Sequence, residues 1–110
     1  QPGAALHIPH GLASAMLLPT VMEFNRMVCR DRFSQIGRAL RTKKSDDRDA
    51  INAVSELIAE VGINKRLADV GATTGHYGAW AQAAQEDICL RSNPRTASLE
   101  QIVGLYAAAQ

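Results

Sequence analysis

The 110-residue sequence is poor in aromatic residues, since they make up only 5% of it while 46% of the residues are hydrophobic. The interior must therefore be built mainly from alanine, leucine, isoleucine and valine. That composition is typical of packed helices rather than of a β-sandwich, whose strands are rich in aromatic and β-branched residues. A chain of this length is expected to form one compact core. We predict a single all-α domain over residues 1–110.

The sequence also lacks an excess of charge of either sign. Twelve lysines and arginines face eleven acidic residues, which gives a net charge of +1, so no long-range field attracts nucleic acid or anionic lipid. The densest basic stretch, "RALRTKKS", carries Arg38, Arg41, Lys43 and Lys44 and is followed at once by "DDRD". Cations suit the C-terminal end of a helix dipole. We predict a solvated helix end there and no nucleic-acid partner.

Cysteines and long apolar runs are scarce as well. Cys29 and Cys89 stand far apart with no Cys-x-x-Cys spacing, which is far from a disulfide framework and fits a reducing, cytoplasmic location. The longest apolar run is broken by Pro19 and Thr20 and is too short to cross a bilayer. No signal peptide is visible. We therefore predict no membrane partner.

The spacing of apolar residues predicts a bundle of five to six helices with short connections, and no segment has the period of a strand. Two helices should open at side-chain caps: one at Ser45, with Asp46 and Asp47 in its first turn, and one at Ser98, paired with Gln101. The stretch 71–75 is predicted as a loop. The predicted helical segments are residues 11–28, 30–41, Ser45 to Gly62, a short turn over 65–69, residues 75–90 and the stretch from Ser98. The first is expected to be irregular near Pro19, and Pro94 is expected to stop the helix over 75–90.

The candidate ligands or catalytic groups in the sequence are its three histidines, His7, His10 and His76. A metal site usually needs three or four protein ligands, and the spacing of His7 and His10 in a proline-containing loop does not guarantee that they share a face. The residues alone thus leave His10 as either a ligand held by a stiff loop or an ordinary turn residue. His76 is predicted to be a surface or capping residue. No nucleotide-binding glycine motif or Ser/His/Asp triad is present.

Three stretches, in the same order along the chain, resemble the iron-containing (group III) alcohol dehydrogenases. "HIPHGLASAMLLPTVMEFN" is similar to the family's Pro-His-Gly turn leading into an apolar helix. "AVSELIAEVGINKRLADVG" is similar to its helix followed by a Gly-Ile-Pro-x-x-Leu segment. "EDICLRSNPRTASLEQIVGLYAAA" is similar to its C-terminal stretch with Asp-x-Cys and Asn-Pro-Arg. The resemblance covers the whole chain.

The resemblance implies an enzyme with an N-terminal α/β domain that binds NAD(P) and a helical C-terminal domain that helps to hold a divalent metal, iron or sometimes zinc. The metal acts as a Lewis acid on the substrate oxygen during hydride transfer. The family binds it with one aspartate and three histidines, the last of them in the Pro-His-Gly turn. That role transfers to His10. Pro9 would stiffen the loop, and Gly11 would let the backbone turn tightly beside the ion.

The same resemblance limits what this chain can do alone. The family's other ligands, a further active-site histidine and the nucleotide-binding domain lie upstream of the turn. The sequence opens with "QPG" rather than methionine and is expected to be a piece of a longer chain. We predict no catalytic or cofactor-binding residue here, His10 as the one metal ligand, and no NAD binding or turnover by the isolated chain. Cys89 is either near the active-site side or a small buried residue.

A different reading makes the chain a stand-alone helical interaction module without catalytic activity. Loss of a large partner domain would leave apolar surface uncovered, and self-association is a common way to cover it. The run from Leu12 to Val21 and the pair of Tyr77 and Trp80 are the candidates for a homodimer interface. In a further variant, His10 residues from two copies would trap a metal between them. The choices of substrate, of iron or zinc and of NAD or NADP remain open.

Overall fold

The computed structural model describes residues 2–40, 47–63 and 65–110, which form six α-helices and no strand. Short 3-10 turns follow or separate them at Arg26–Val28, Leu67–Val70 and Ile88–Ser92. The all-α class and the predicted number of helices are confirmed. The helices are α1 (Pro2–Leu6), α2 (His10–Asn25), α3 (Arg30–Ala39), α4 (Asp47–Glu60), α5 (Thr74–Glu86) and α6 (Leu99–Ala108).

Pro19 falls inside a helix, as predicted, whereas Pro94 does not act as predicted. Pro19 lies inside α2 and does not end it, although it removes one backbone hydrogen bond. Pro94 does not stop α5, because that helix already ends at Glu86. The Asp87 side chain accepts a hydrogen bond of 2.9 Å from the backbone N–H of Cys89 and starts the next 3-10 turn there. A local side-chain cap therefore replaces the expected proline stop at the end of α5. At its start, α5 includes the last two residues of the loop predicted over 71–75.

Capping explains where the other helices begin and end. In α6, the Ser98 hydroxyl accepts from the N–H of Gln101 at 3.2 Å, and the Gln101 side chain accepts from the N–H of Ser98 at 2.9 Å, so the predicted capping box is confirmed. Gly62 ends α4 with a φ of 90°, a conformation that glycine adopts without strain. Asp47 lies in the first turn of α4 as predicted, while Ser45 and Asp46 lie outside the described residues.

His76 is a capping residue, as one of its predicted alternatives had it. Its Nδ1 atom accepts a hydrogen bond of 3.0 Å from the backbone N–H of Thr73, just before α5. Its ring also stacks on Trp80, with 4.9 Å between centroids and an interplanar angle of 7°. The side chain therefore has a structural use at the start of α5.

The larger core cluster lies between α5, α6 and the turn before α5. Tyr106 is its centre, with ring centroids 5.8 Å from Tyr77 and 5.5 Å from Trp80. The prediction that Tyr77 and Trp80 form uncovered surface is wrong: they are 3% and 6% exposed, because α5 packs this face against α6. The buried members are Leu67, Ala72, Tyr77, Trp80, Ala81, Ala97, Ile102, Tyr106 and Ala109.

A smaller core cluster joins α2, α3 and α4 through Met22, Phe33, Ala50 and Ile51. The buried residues of α4 lie in its first half. Further along the predicted apolar stripe of α4, Leu57 is 48% exposed and Val61 65%. The stripe is therefore covered only in part. α2 belongs to both clusters, since three of its other apolar side chains, Met16, Leu17 and Phe24, pack on the larger one.

Two surface predictions can be compared with the described part of the chain. Arg38 is exposed in the last turn of α3, as expected for a solvated helix end, while Arg41, Lys43 and Lys44 lie outside the described residues. Among the described helices, none has the length and apolar character needed to cross a bilayer.

Candidate metal-binding turn

His10 is the first residue of α2 and is exposed. Pro9 precedes it with an extended backbone, φ −52° and ψ 135°. The carbonyl oxygen of Pro9 accepts the first helical hydrogen bond from the N–H of Ala13 at 3.0 Å. The ring of Pro9 restricts its φ angle. The backbone at His10 is therefore constrained by Pro9 on one side and by the first helical hydrogen bond on the other.

The sharp backbone turn before α2 lies at His7, whose φ of 55° is unusual for a residue with a side chain. The predicted turning role of Gly11 is wrong. Gly11 is already the second residue of α2, where an ordinary helical φ suffices, and a Cβ atom built on it would have no neighbour within 4 Å. His7 itself is exposed.

A shallow depression of about 280 Å³ lies beside His10, between α1, the turn and α2. His10 and Ser14 are its polar side chains, and the rest of the lining is apolar. Neither His7 nor Cys89 lines it. The depression can admit a small group beside the imidazole, but it offers no carboxylate.

The described residues contain no group of three or more histidine, cysteine or acidic side chains that could hold a metal ion. Within this part of the chain, His10 also has no hydrogen-bond or ion-pair partner. It stands at the positive end of the α2 dipole, which opposes a nearby cation unless a negative ligand compensates. Among the described residues, the local geometry therefore supplies one available imidazole and no further metal ligand beside it.

Cys89 is exposed in the 3-10 turn after α5. Its expected alternative as a small buried residue is wrong. The neighbouring Asp87 raises the pKa of the Cys89 thiol through hydrogen bonding and charge repulsion, which disfavours the thiolate that would bind a metal or attack a substrate. The position carries no sign of reactive cysteine chemistry.

Sequence reasoning missed a polar clamp, formed by Asn25, Asn93 and Arg95, that anchors the far end of α2. The amides of Asn25 and Asn93 each donate to the other's oxygen at 2.9 Å. Arg95 donates to the carbonyl oxygen of Phe24 at 2.7 Å, and its guanidinium carbon lies 4.1 Å from the centre of the Phe24 ring. The hydrogen bonds with Asn93 satisfy the side-chain amide of Asn25, which is only 7% exposed. The Asn-Pro-Arg motif was a possible signal, but its partner lies 68 positions away.

The chain was also compared with known proteins. The family model for the C-terminal part of the Fe-containing alcohol dehydrogenases matches residues 1–110. Probable alcohol dehydrogenase EutG of Escherichia coli strain K12 is 94% identical over 110 residues, which is 100% of this chain and 28% of that protein. Its namesake from Salmonella typhimurium is 81% identical over 99% of this chain and 28% of its own length.

A solved structure agrees with this match. The crystal structure of a 1,3-propanediol oxidoreductase superposes with a TM-score of 0.94 at 27% identity, over 98% of this chain and 30% of that one. The chain therefore spans less than a third of the length of the relatives that it matches.

Proposed function

The chain belongs to the Fe-containing alcohol dehydrogenase family, of which it is a C-terminal part, and we propose that it serves as the metal-binding helical portion of an NAD(P)-dependent alcohol dehydrogenase. The observation that carries this proposal is His10: an exposed imidazole at the start of α2, beside a depression and without a partner among the described residues. Its place in the Pro-His-Gly turn corresponds to the last histidine ligand that the resemblance implies.

The donor chemistry fits the implied metal. Imidazole nitrogen is a good ligand for both iron and zinc. The backbone of His10 is held in place by Pro9 and by the first helical hydrogen bond of α2. When bound, the metal would polarise the oxygen of an alcohol or aldehyde. The positive end of α2 makes an anionic co-ligand favourable, and the aspartate that the resemblance implies would supply it.

We propose that the isolated 110 residues are inactive. One ligand cannot complete a four-ligand site. The described residues include no β-strand, and the dinucleotide-binding fold is built on a sheet. Iron or zinc and NAD(P) are therefore assigned to the longer protein. Substrate choice is left to its residues outside this chain.

The test uses a chimera in which this chain replaces the matching 28% of the E. coli relative. We expect the chimera to bind metal and oxidise short alcohols with NAD, and the chain alone to do neither. His10→Ala should lower metal affinity and kcat/KM by more than about 100-fold, beyond the loss typical of an outer-shell change. His7→Ala is the matched control and should retain both. An active His10→Ala chimera with full metal content would refute the assignment.

A second candidate function, a helical interaction module, is favoured by uncovered apolar surface. Several large side chains of the described residues are more than a third exposed, among them Leu18 within the predicted run from Leu12 to Val21. The full set is Leu18, Met27, Val28, Ile36, Leu40, Leu57, Val61, Ile88 and Leu99. Pairing of two copies would cover part of this surface.

Light scattering coupled to size-exclusion chromatography, with metal analysis of the same peak, separates the two candidates. A metal-free dimer whose chimera is inactive would favour the interaction module. A monomer that gains metal and activity only in the chimera would favour the dehydrogenase part. A dimer that holds metal and loses both on His10→Ala would indicate a site made by two copies.

A further inference from the structure

A cavity of about 150 Å³ lies between α2, α6 and the segment that joins α5 to α6. It is separate from the depression beside His10, although Leu17 contributes to the walls of both. Its lining is almost entirely carbon. The walls consist of Leu17, Val21 and Phe24 from α2, Ile102, Leu105 and Tyr106 from α6, and Leu90, Asn93 and Ala97 from the joining segment.

The one amide side chain in this lining, Asn93, has no donor left for a ligand. Its two amide hydrogens are used by the Asn25 side chain at 2.9 Å and by the carbonyl oxygen of Arg95 at 2.6 Å. Its oxygen accepts from Asn25 at 2.9 Å. A buried water needs about two to four polar partners. The amide therefore gives water little to bind, and the cavity favours an apolar occupant.

The polar clamp also fixes the shape of the cavity. Arg95 holds both the backbone carbonyl and the ring of Phe24, and the Asn25–Asn93 pair joins the end of α2 to the opposite wall. A wall that is already ordered loses little conformational entropy when a ligand binds. The cavity is partly open to solvent, so a small molecule can enter it directly.

We propose that this cavity is a binding site for a small uncharged apolar molecule of about the size of benzene, such as an aromatic or short branched hydrocarbon. An engineered protein cavity of about 150 Å³, lined by leucine, isoleucine and phenylalanine, stays dry and binds benzene or xenon. The present cavity has a similar volume and a mainly aliphatic and phenylalanine lining, although it is partly open to solvent and also includes Asn93 and Tyr106. The site needs neither the metal nor His10, and so it goes beyond the proposed dehydrogenase role.

The test titrates benzene and xenon into the purified chain and compares two substitutions on α2. Val21→Phe places a ring in the cavity, whereas Leu18→Phe adds the same ring at an exposed position outside it. We expect benzene at about ten times its Kd to raise the Tm of the parent chain and of Leu18→Phe by several degrees. Val21→Phe should show no rise, and its xenon shift in ¹²⁹Xe NMR should disappear.

An independent readout covers the case in which Val21→Phe fails to fold. Nuclear Overhauser contacts should then link benzene protons to the methyl groups of Val21 and Ile102 in the parent chain. If circular dichroism shows that the isolated chain is not helical, both measurements are made on the chimera, where they require no metal or NAD. Absence of benzene contacts in the folded protein, or unchanged binding in a folded Val21→Phe variant, would overturn the proposal. An inactive chimera that still binds benzene would leave it standing.

Discussion

The two core clusters differ in how completely the chain covers its own apolar residues. Around Tyr106, three aromatic rings pack together and are almost fully buried. Around Phe33, the buried set is small, and Ile36 of α3, Leu57 of α4 and Val61 just after α4 are exposed. Burial of apolar area is the main favourable term in folding. The larger cluster thus gains more from burial than the smaller one, while α3 and α4 expose apolar side chains that another polypeptide could cover.

α2 connects the two halves and carries His10. Met22 belongs to the smaller cluster, Leu17 packs on the larger one, and Asn25 is tied to the segment after α5. Arg26 adds an ion pair of 3.3 Å to Asp47 at the start of α4. The position of the candidate ligand is therefore coupled to both clusters through one helix.

The largest effect is expected from removing the centre of the stronger half. Trp80→Ala should lower the free energy of unfolding by about 3–5 kcal/mol, because it leaves a void among rings that cannot readily move inward. Chemical denaturation followed by circular dichroism measures this loss. Leu57→Ala is the exposed control and should stay within about 0.5 kcal/mol of the parent. Similar losses for both would remove the distinction between the clusters.

The smaller cluster can be tested by Phe33→Ala. We expect a loss of about 3 kcal/mol, at the lower end for a phenylalanine, because the half-covered surroundings can partly close around the gap. Hydrogen exchange should show faster exchange of the α3 and α4 amides while those of α5 and α6 keep most of their protection. Uniform acceleration over all four helices would show that the two clusters unfold as one unit.

The contact between Asn25 and Asn93, which links α2 to the segment after α5, can be tested by substitution. Asn93→Ala removes both hydrogen bonds to the side chain of Asn25 and leaves that buried amide unsatisfied, at a cost of about 1–3 kcal/mol. Thermal unfolding followed by calorimetry measures it. Ser92→Ala, which removes an exposed hydroxyl bond to a local carbonyl, is the neighbouring control and should cost less than half as much. A neutral Asn93→Ala would mean that water replaces the clamp.

The smallest effect concerns a single hydroxyl in the larger cluster. The hydroxyl of Tyr77 is buried without a hydrogen-bond partner among the described residues, so Tyr77→Phe should leave the stability at pH 7 unchanged or raise it by up to about 1 kcal/mol. Burial raises the pKa of Tyr77. As the pH rises above about 10, the unfolded chain therefore loses this proton first, and stability falls.

Denaturation at several pH values checks the sign of this effect. As the pH rises above about 10, the parent chain should lose more stability than Tyr77→Phe. Some alkaline loss should persist in the variant, because burial also raises the pKa of Tyr106. Equal alkaline losses in the two proteins would show that the Tyr77 hydroxyl finds a partner or reaches water in solution.

The sequence by itself determined the helical class, the family and the features that act over a few residues. The Ser98–Gln101 box, the glycine end of α4 and the apolar repeats needed only neighbours in the chain, because helix hydrogen bonds and caps join residues three or four positions apart. The Pro-His-Gly turn also placed His10 at a helix start.

Only the tertiary structure decided which apolar residues are covered and which polar residues meet. Periodicity puts Trp80 and Leu57 on apolar faces alike, yet packing buries one and exposes the other. No local rule joins Asn25 to Asn93, which lie 68 positions apart, or forms the cavity beside them. Such pairs depend on how whole helices pack against one another, and that packing is set by the sum of many weak contacts rather than by any one motif.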